Sequence, residues 1–596
     1  MIRTPGLFAI VSFLAFPLLA QEPWEINSGR TSIQFYDHTL KDLGFQLKSI
    51  NDSARPHREG YFGFSFSPEP EMGFETAGGD FEYLHSGTVT HDGGFTLVHG
   101  RKTFSFQDFR IEIVPGTNDG LLLTAEGLPA FRLVWAHTFL TTDTLRMRNM
   151  DLVATEELGN AIGIPGLRYT LVGTVDMVLD VSGPPNIRLG VCEPNFNGDV
   201  DIELTTISQP GQYAREEGVR VALTASAALA NVGTADVPWY RAIEPDGVPP
   251  LVGQHPYLLL HFYRIHNGVL EQLGQSDVKH AFWTVNNNCD CPGGNVIYVG
   301  CTDVYGGSTN VNPYHLGPRE ELNALTGDWE SLGSHFDGDP VDNWRSHGST
   351  GHDRFEHRLT VADADLQEPD ARYFFELWYL VKDDINIFNN MGWLEVIPSL
   401  PSSNWVFSVP DPERVPGPAI DAWVDPDQPE ANQVTHTVQS SDGHFRLAVK
   451  VSDSTPHTFE YALMNLDMDR QIRSFSVPLG PNAAVTNVAF GRPGISTPDD
   501  WIITVEEDRV TWEAPPGKGL DWGSLANFRF EGNAPPKDAP ATLLPLEAGT
   551  AAQFTAQTLT PGDCMTLSEI QPLLPQWSDT FTILEIIPQI NQRCAF

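Results

Sequence analysis

Three histidines stand in one stretch of this chain, each beside a run of apolar residues. His255 precedes Pro256, His261 falls inside Tyr257-Leu258-Leu259-Leu260-His261-Phe262-Tyr263, and His280 lies in Val278-Lys279-His280-Ala281-Phe282. A buried neutral imidazole is a common ligand for zinc, copper or iron. His255, His261 and His280 are therefore the candidate transition-metal ligands, with Lys279 and Tyr305 as candidate catalytic groups beside them. The competing reading makes His261 and His280 core side chains with satisfied hydrogen bonds, and the sequence favours it for both.

Two oxygen-rich stretches suit a harder ion. Asp383, Asp384 and Asn386 follow the apolar strand 373–382, and Asn195, Asn197, Asp199 and Asp201 alternate along a second loop. Calcium takes carboxylate and amide oxygens at such spacing, although Asp and Asn are also ordinary turn residues. In the second stretch Gly198 comes too early for an EF-hand, and no bidentate Glu closes the loop. Further on, His335, His347, His352 and His357 lie among Asp337, Asp339, Asp342, Asp353 and Glu356, at a spacing that matches no compact ligand motif. The chain carries no nucleophile elbow, P-loop or haem-attachment signature.

The elements that must position these groups read as strands. Turn residues are dense (Gly 52, Pro 46), and short alternating runs such as 61–66, 95–98 and 109–113 recur. The stretch 257–265 predicts a strand, Asn267-Gly268 a hairpin turn, and 269–273 and 278–283 two more strands. One helix is predicted, over 150–162. The fold class expected is mainly β, with several β-sandwich-like domains. These are an N-terminal domain (21–185), a central domain holding the Cys, His and Asp clusters (186–400) and a proline-rich linker (401–418). An immunoglobulin-like sandwich (419–545) and a tail clamped by disulfide (546–596) complete the chain.

Arg3 ahead of the apolar run 7–20, ending in Ala20, predicts a secretory signal with Gln21 as the mature N-terminus, hence a secreted or periplasmic protein without a transmembrane anchor. In that compartment cysteines pair. Cys564 and Cys594 are expected to pair with each other. Cys289 and Cys291 are too close to bridge easily, which leaves two pairings of Cys192, Cys289, Cys291 and Cys301. The same compartment argues against a Cys3His zinc site at those thiols. A net charge of −41 repels phosphate backbones and excludes nucleic acid as a partner.

Several stretches resemble an uncharacterised family of secreted multi-domain proteins from environmental Gram-negative bacteria. They are 231–240, 254–256, 274–282, 316–319, 371–375, 383–393 and 473–478. The resemblance implies export and a multi-domain build, and brings no activity with it. The function read from the sequence is a secreted, acidic, non-catalytic β-sandwich protein that binds calcium or a surface or matrix polymer. The alternative is a secreted metal-dependent enzyme, oxidative or hydrolytic, with a His-based site in the central domain and copper, iron or zinc as its ion.

Overall fold

The computed structural model describes residues 22–562, apart from 57–59, 68–69, 78–79, 86, 114–119, 184–191, 240–254, 290, 338–351, 429 and 492–500. The signal segment, Cys564, Cys594 and the tail beyond 562, and His347 lie outside the described residues. The chain is mainly β, and its sheets are built from antiparallel pairs. No helix among the described residues is long and apolar enough to cross a membrane.

The N-terminal part forms an eleven-stranded sheet around Glu22–Phe35, Leu171–Ser182 and Thr144–Ala154, with a smaller sheet of Phe45–Asn51, Gly94–His99 and Lys102–Gln107. Their inward side chains, among them Ile33, Phe64, Phe95, Leu97 and Val175, make one core. The helix predicted over 150–162 is shorter. Residues up to Ala154 continue the strand, and the helix runs Glu156–Ile162, capped by the Thr155 side chain and closed by Gly163 at φ 84°. The β-branched and apolar run before Thr155 is buried as sheet, which overrides its helical spacing.

In the central part Tyr257–His266 pairs with Arg372–Leu380 on one side and with Val278–His280 and Val269–Gln275 on the other. The strand is buried on both faces, so it reads as a continuous apolar run rather than an alternation. Leu258, Leu260 and Phe262 face the small sheet of Ile202–Ile207, Ala227–Asn231 and Thr302–Tyr305. Tyr257, Leu259 and Tyr263 face the other way, against Trp423, Ala448, Ala462, Met464 and Trp522 of the C-terminal part.

That C-terminal part is a sandwich of two five-stranded sheets around Phe445, Tyr461, Phe475, Trp512 and Phe528. Its last described strand, Phe554–Pro561, pairs with Pro536–Pro545, so the sandwich extends past residue 545. The proline-rich stretch 401–418 is not a loose spacer. Val406–Ser408 joins the central sheet between Met391–Ser399 and Gly211–Glu216, and Trp405 and Phe407 are buried. Its prolines fall at strand ends and turns, where a missing N–H is tolerated.

Candidate functional site

Period-two alternation sends Lys279 and His280 to opposite faces of their strand. His280 stands opposite Tyr257 and Lys279 opposite Leu258. On its face His280 meets His255, with Nδ1 2.9 Å from His255 Nε2, and is walled by Trp329 and Phe336. Burial drives both imidazoles towards the neutral form, His255 down to about 3 and His280 well below its usual range. The sequence grouped His261 with this pair, but the structure places it elsewhere. It points at the C-terminal sandwich, 3.1 Å from Glu376 and against Trp378, close to Arg319, which stacks on Trp522.

Lys279 lies on the other face with its Nζ 3.0 Å from the centre of the Tyr305 ring, 1 % exposed and without a hydrogen bond. Burial holds the amine well below its ordinary pKa, partly opposed by the charge of Asp303. Asp303, also fully buried, is pushed up to about 7 by desolvation; its Oδ1 accepts from Val285 N. The Tyr305 hydroxyl donates to Trp283 O and accepts from Trp239 Nε1. Lys279 and Tyr305 are thus enclosed in the core.

The four described central cysteines form Cys192–Cys291 and Cys289–Cys301, one of the two pairings left open by the sequence. The three thiol sulfurs that cluster here are therefore committed to disulfides rather than to a metal.

Among the described residues, a second gathering of metal-ligating groups lies where the sequence pattern matched no ligand motif. Single donor atoms of His352, Glu356 and His357 all fall within 4.8 Å of one another. The ring of His335 stands 5.0 Å from that of His357 and 5.9 Å from that of His352. No helix builds this arrangement. Asp353 Oδ1 accepts from Phe355 N (2.6 Å) and Glu356 N (2.8 Å) and folds the chain back on itself. Arg358 donates from Nη1 to the carbonyls of Asp353 and Glu356 and from Nε to Val311 O. His357 takes φ 62°, a left-handed conformation uncommon outside glycine.

Two of the imidazoles, those of His357 and His352, are oriented by a carboxylate. His357 Nδ1 donates to Asp277, whose own backbone N–H donates to His357 O. That bond raises the His357 pKa against the effect of its burial. The opposite nitrogen, Nε2, is buried, makes no hydrogen bond and lies 3.8 Å from Glu356 Oε1. His352 Nδ1 donates to Glu356 Oε2 at 2.9 Å. Glu356 is itself exposed, so the cluster opens to solvent on one side. The spacing H-x3-E-H gave no warning, because it matches neither the helical His pair of HExxH nor a known loop motif, and a side-chain-pinned turn brings its residues together by another rule. The Asx pattern Asp353-x-Phe355-Glu356 was the available signal.

Of the oxygen-rich stretches, Asn195, Asn197, Asp199, Asp383 and Asn386 are exposed, while Asp201 and Asp384 are drawn together. A scan against protein-family models finds no match, and a search of curated proteins finds none either.

Proposed function

We propose that this chain is an exported protein that binds a transition metal through His352, Glu356 and His357, with His335 alongside. The observation that supports it is the convergence of two imidazoles and a carboxylate, together with the Asp277 bond to His357. A metal-binding histidine ordinarily gives its second ring nitrogen to a carboxylate, which fixes the tautomer and raises the basicity of the first. Nε2 of His357 is then the ligand atom. Two imidazoles and one carboxylate suit zinc, copper or iron, and that set leaves coordination positions for water or substrate. A bound ion would supply Lewis-acid or oxidative chemistry, and the exposure of Glu356 would give a substrate access to it. Export in this proposal rests on the Arg3–Ala20 pattern, and the oxidised cysteines agree with it.

Metal analysis of the purified protein tests the reading. Near-stoichiometric zinc, copper or iron is expected in the wild type and loss of it in His357→Ala, with an unchanged circular dichroism spectrum. Asp277→Asn is expected to weaken affinity by about 10–100-fold, the usual effect of removing such a partner. Metal retained in His357→Ala would overturn the assignment.

A further inference from the structure

Two loops far apart in the chain meet at one place. Val200 and Asp384 form an isolated parallel bridge, and Ile385 N donates to Val200 O at 3.0 Å. The Asp384 carboxylate accepts from Ile202 N through one oxygen and from Asn386 N through the other, both at 2.8 Å. Beside it, Asp201 Oδ1 accepts from Asn389 Nδ2 at 2.8 Å. Asn390 is turned onto Asp384, its amide helping to hold that carboxylate. Two carboxylates and two carboxamides therefore converge from residues 201 and 384–390.

One observation of the geometry points to a cation. The side-chain oxygens of Asn389 and Asn390 are buried and accept no hydrogen bond, and Asn390 is only 1 % exposed. A buried carbonyl oxygen without a donor is unfavourable, and each of these belongs to an amide whose nitrogen side engages one of the two carboxylates. A positive ion among these oxygens supplies the missing partner.

We propose that Asp201, Asp384 and the side-chain oxygens of Asn389 and Asn390 bind a calcium ion that ties the 199–202 segment to the turn 383–390. The donors are all oxygens, which a hard ion prefers. They come from two loops of unequal geometry, which calcium tolerates better than magnesium. Each oxygen of Asp384 accepts one backbone N–H, and the oxygen that Asn390 does not also engage keeps a lone pair for the ion. The remaining acidic and amide residues of both loops stay outside the site. Asn195 Oδ1 is already engaged by the N–H of Asn197, and Asp383 and Asp199 project into solvent. None of these ligands is shared with the imidazole cluster, so the two assignments stand or fall separately.

The test uses full-length protein stripped with a chelator and titrated with calcium chloride, read by calorimetry and by thermal melting. High ionic strength screens the surface charge of a −41 chain, so weak surface binding drops out. One calcium per chain and a rise in melting temperature are expected. In Asp201→Asn and Asp384→Asn the affinity is expected to fall roughly tenfold or more, because calcium affinity is set by the number of ligand charges. Transition-metal content should stay at the wild-type level in both. Absence of a calcium response in the wild type, or a response kept in both variants, would overturn the proposal.

Discussion

Lys279 is enclosed by aromatic rings, and the nearest charge acting on it, Asp303, is too far for an ion pair. An amine buried without a hydrogen bond is a cost the fold carries. Lys279→Met keeps the unbranched stem and removes the amine, so it is expected to raise stability by ~1 kcal/mol. A denaturant midpoint that falls instead would show that the amine holds something in place. The sequence placed this residue well, on a strand next to His280 in the most polar part of the chain. It misjudged the role, because alternation alone separates two faces and does not say that both are interior. His261 fell into the same gap. Its face was legible from Leu259 and Tyr263, but the surface it meets is supplied by residues such as Trp522, far along the chain.

Among the elements, strands were the most legible and turns the least. The pairing of Tyr257–His266 with Val269–Gln275 through Asn267-Gly268 follows from local signals. So do the strands Gly443–Val451, His457–Asn465 and Ile472–Pro478 of the C-terminal sandwich, which lie within the span 419–545 expected for it. The stretch 401–418 misled because proline marks strand ends as well as linkers. The turn at 352–358 is the element that assembles the imidazole cluster, and its construction gives a direct prediction. Asp353→Ala removes the acceptor for Phe355 N and Glu356 N. Metal affinity is expected to fall while global stability drops by only ~1 kcal/mol, the usual worth of such a side-chain cap. Equal loss of metal and of fold would show that the turn is a pillar of the core instead.

At the scale of the whole molecule, buried titratable groups set an unusual pH dependence. Asp303, Asp421 and Glu460 are held at about 7 and Asp384 at about 6, each chiefly by desolvation. Between about pH 4 and 7 the folded chain binds their protons more tightly than the unfolded chain, so stability from these groups falls as pH rises through that window. His38, His91 and His255, held at about 4, 3 and 3 by burial, act in the opposite sense. They lower stability as pH falls from about 6.5. The two sets oppose each other from about pH 4 to 6.5; above that the carboxyls act with His357 and His444 in the same sense and Lys279 in the opposite one, joined by the repulsion of a −41 chain. Unfolding midpoints are expected to be higher at pH 5.5 than at pH 8 at fixed ionic strength. An equal or higher midpoint at pH 8 would refute this.

The two-sided burial of Tyr257–His266 also fixes an order of assembly. As the polypeptide emerges from its amino end, this strand can find Arg372–Leu380 and the small sheet beneath it as soon as residue 380 is free. Its opposite face, with Leu259 and Tyr263, waits for Met464 and Trp522, more than a hundred residues later on average. Until then a broad apolar surface stands bare. A chain that folds only once its synthesis is complete avoids that interval, since both faces then become available together. The architecture thus favours folding after synthesis is complete over folding during it.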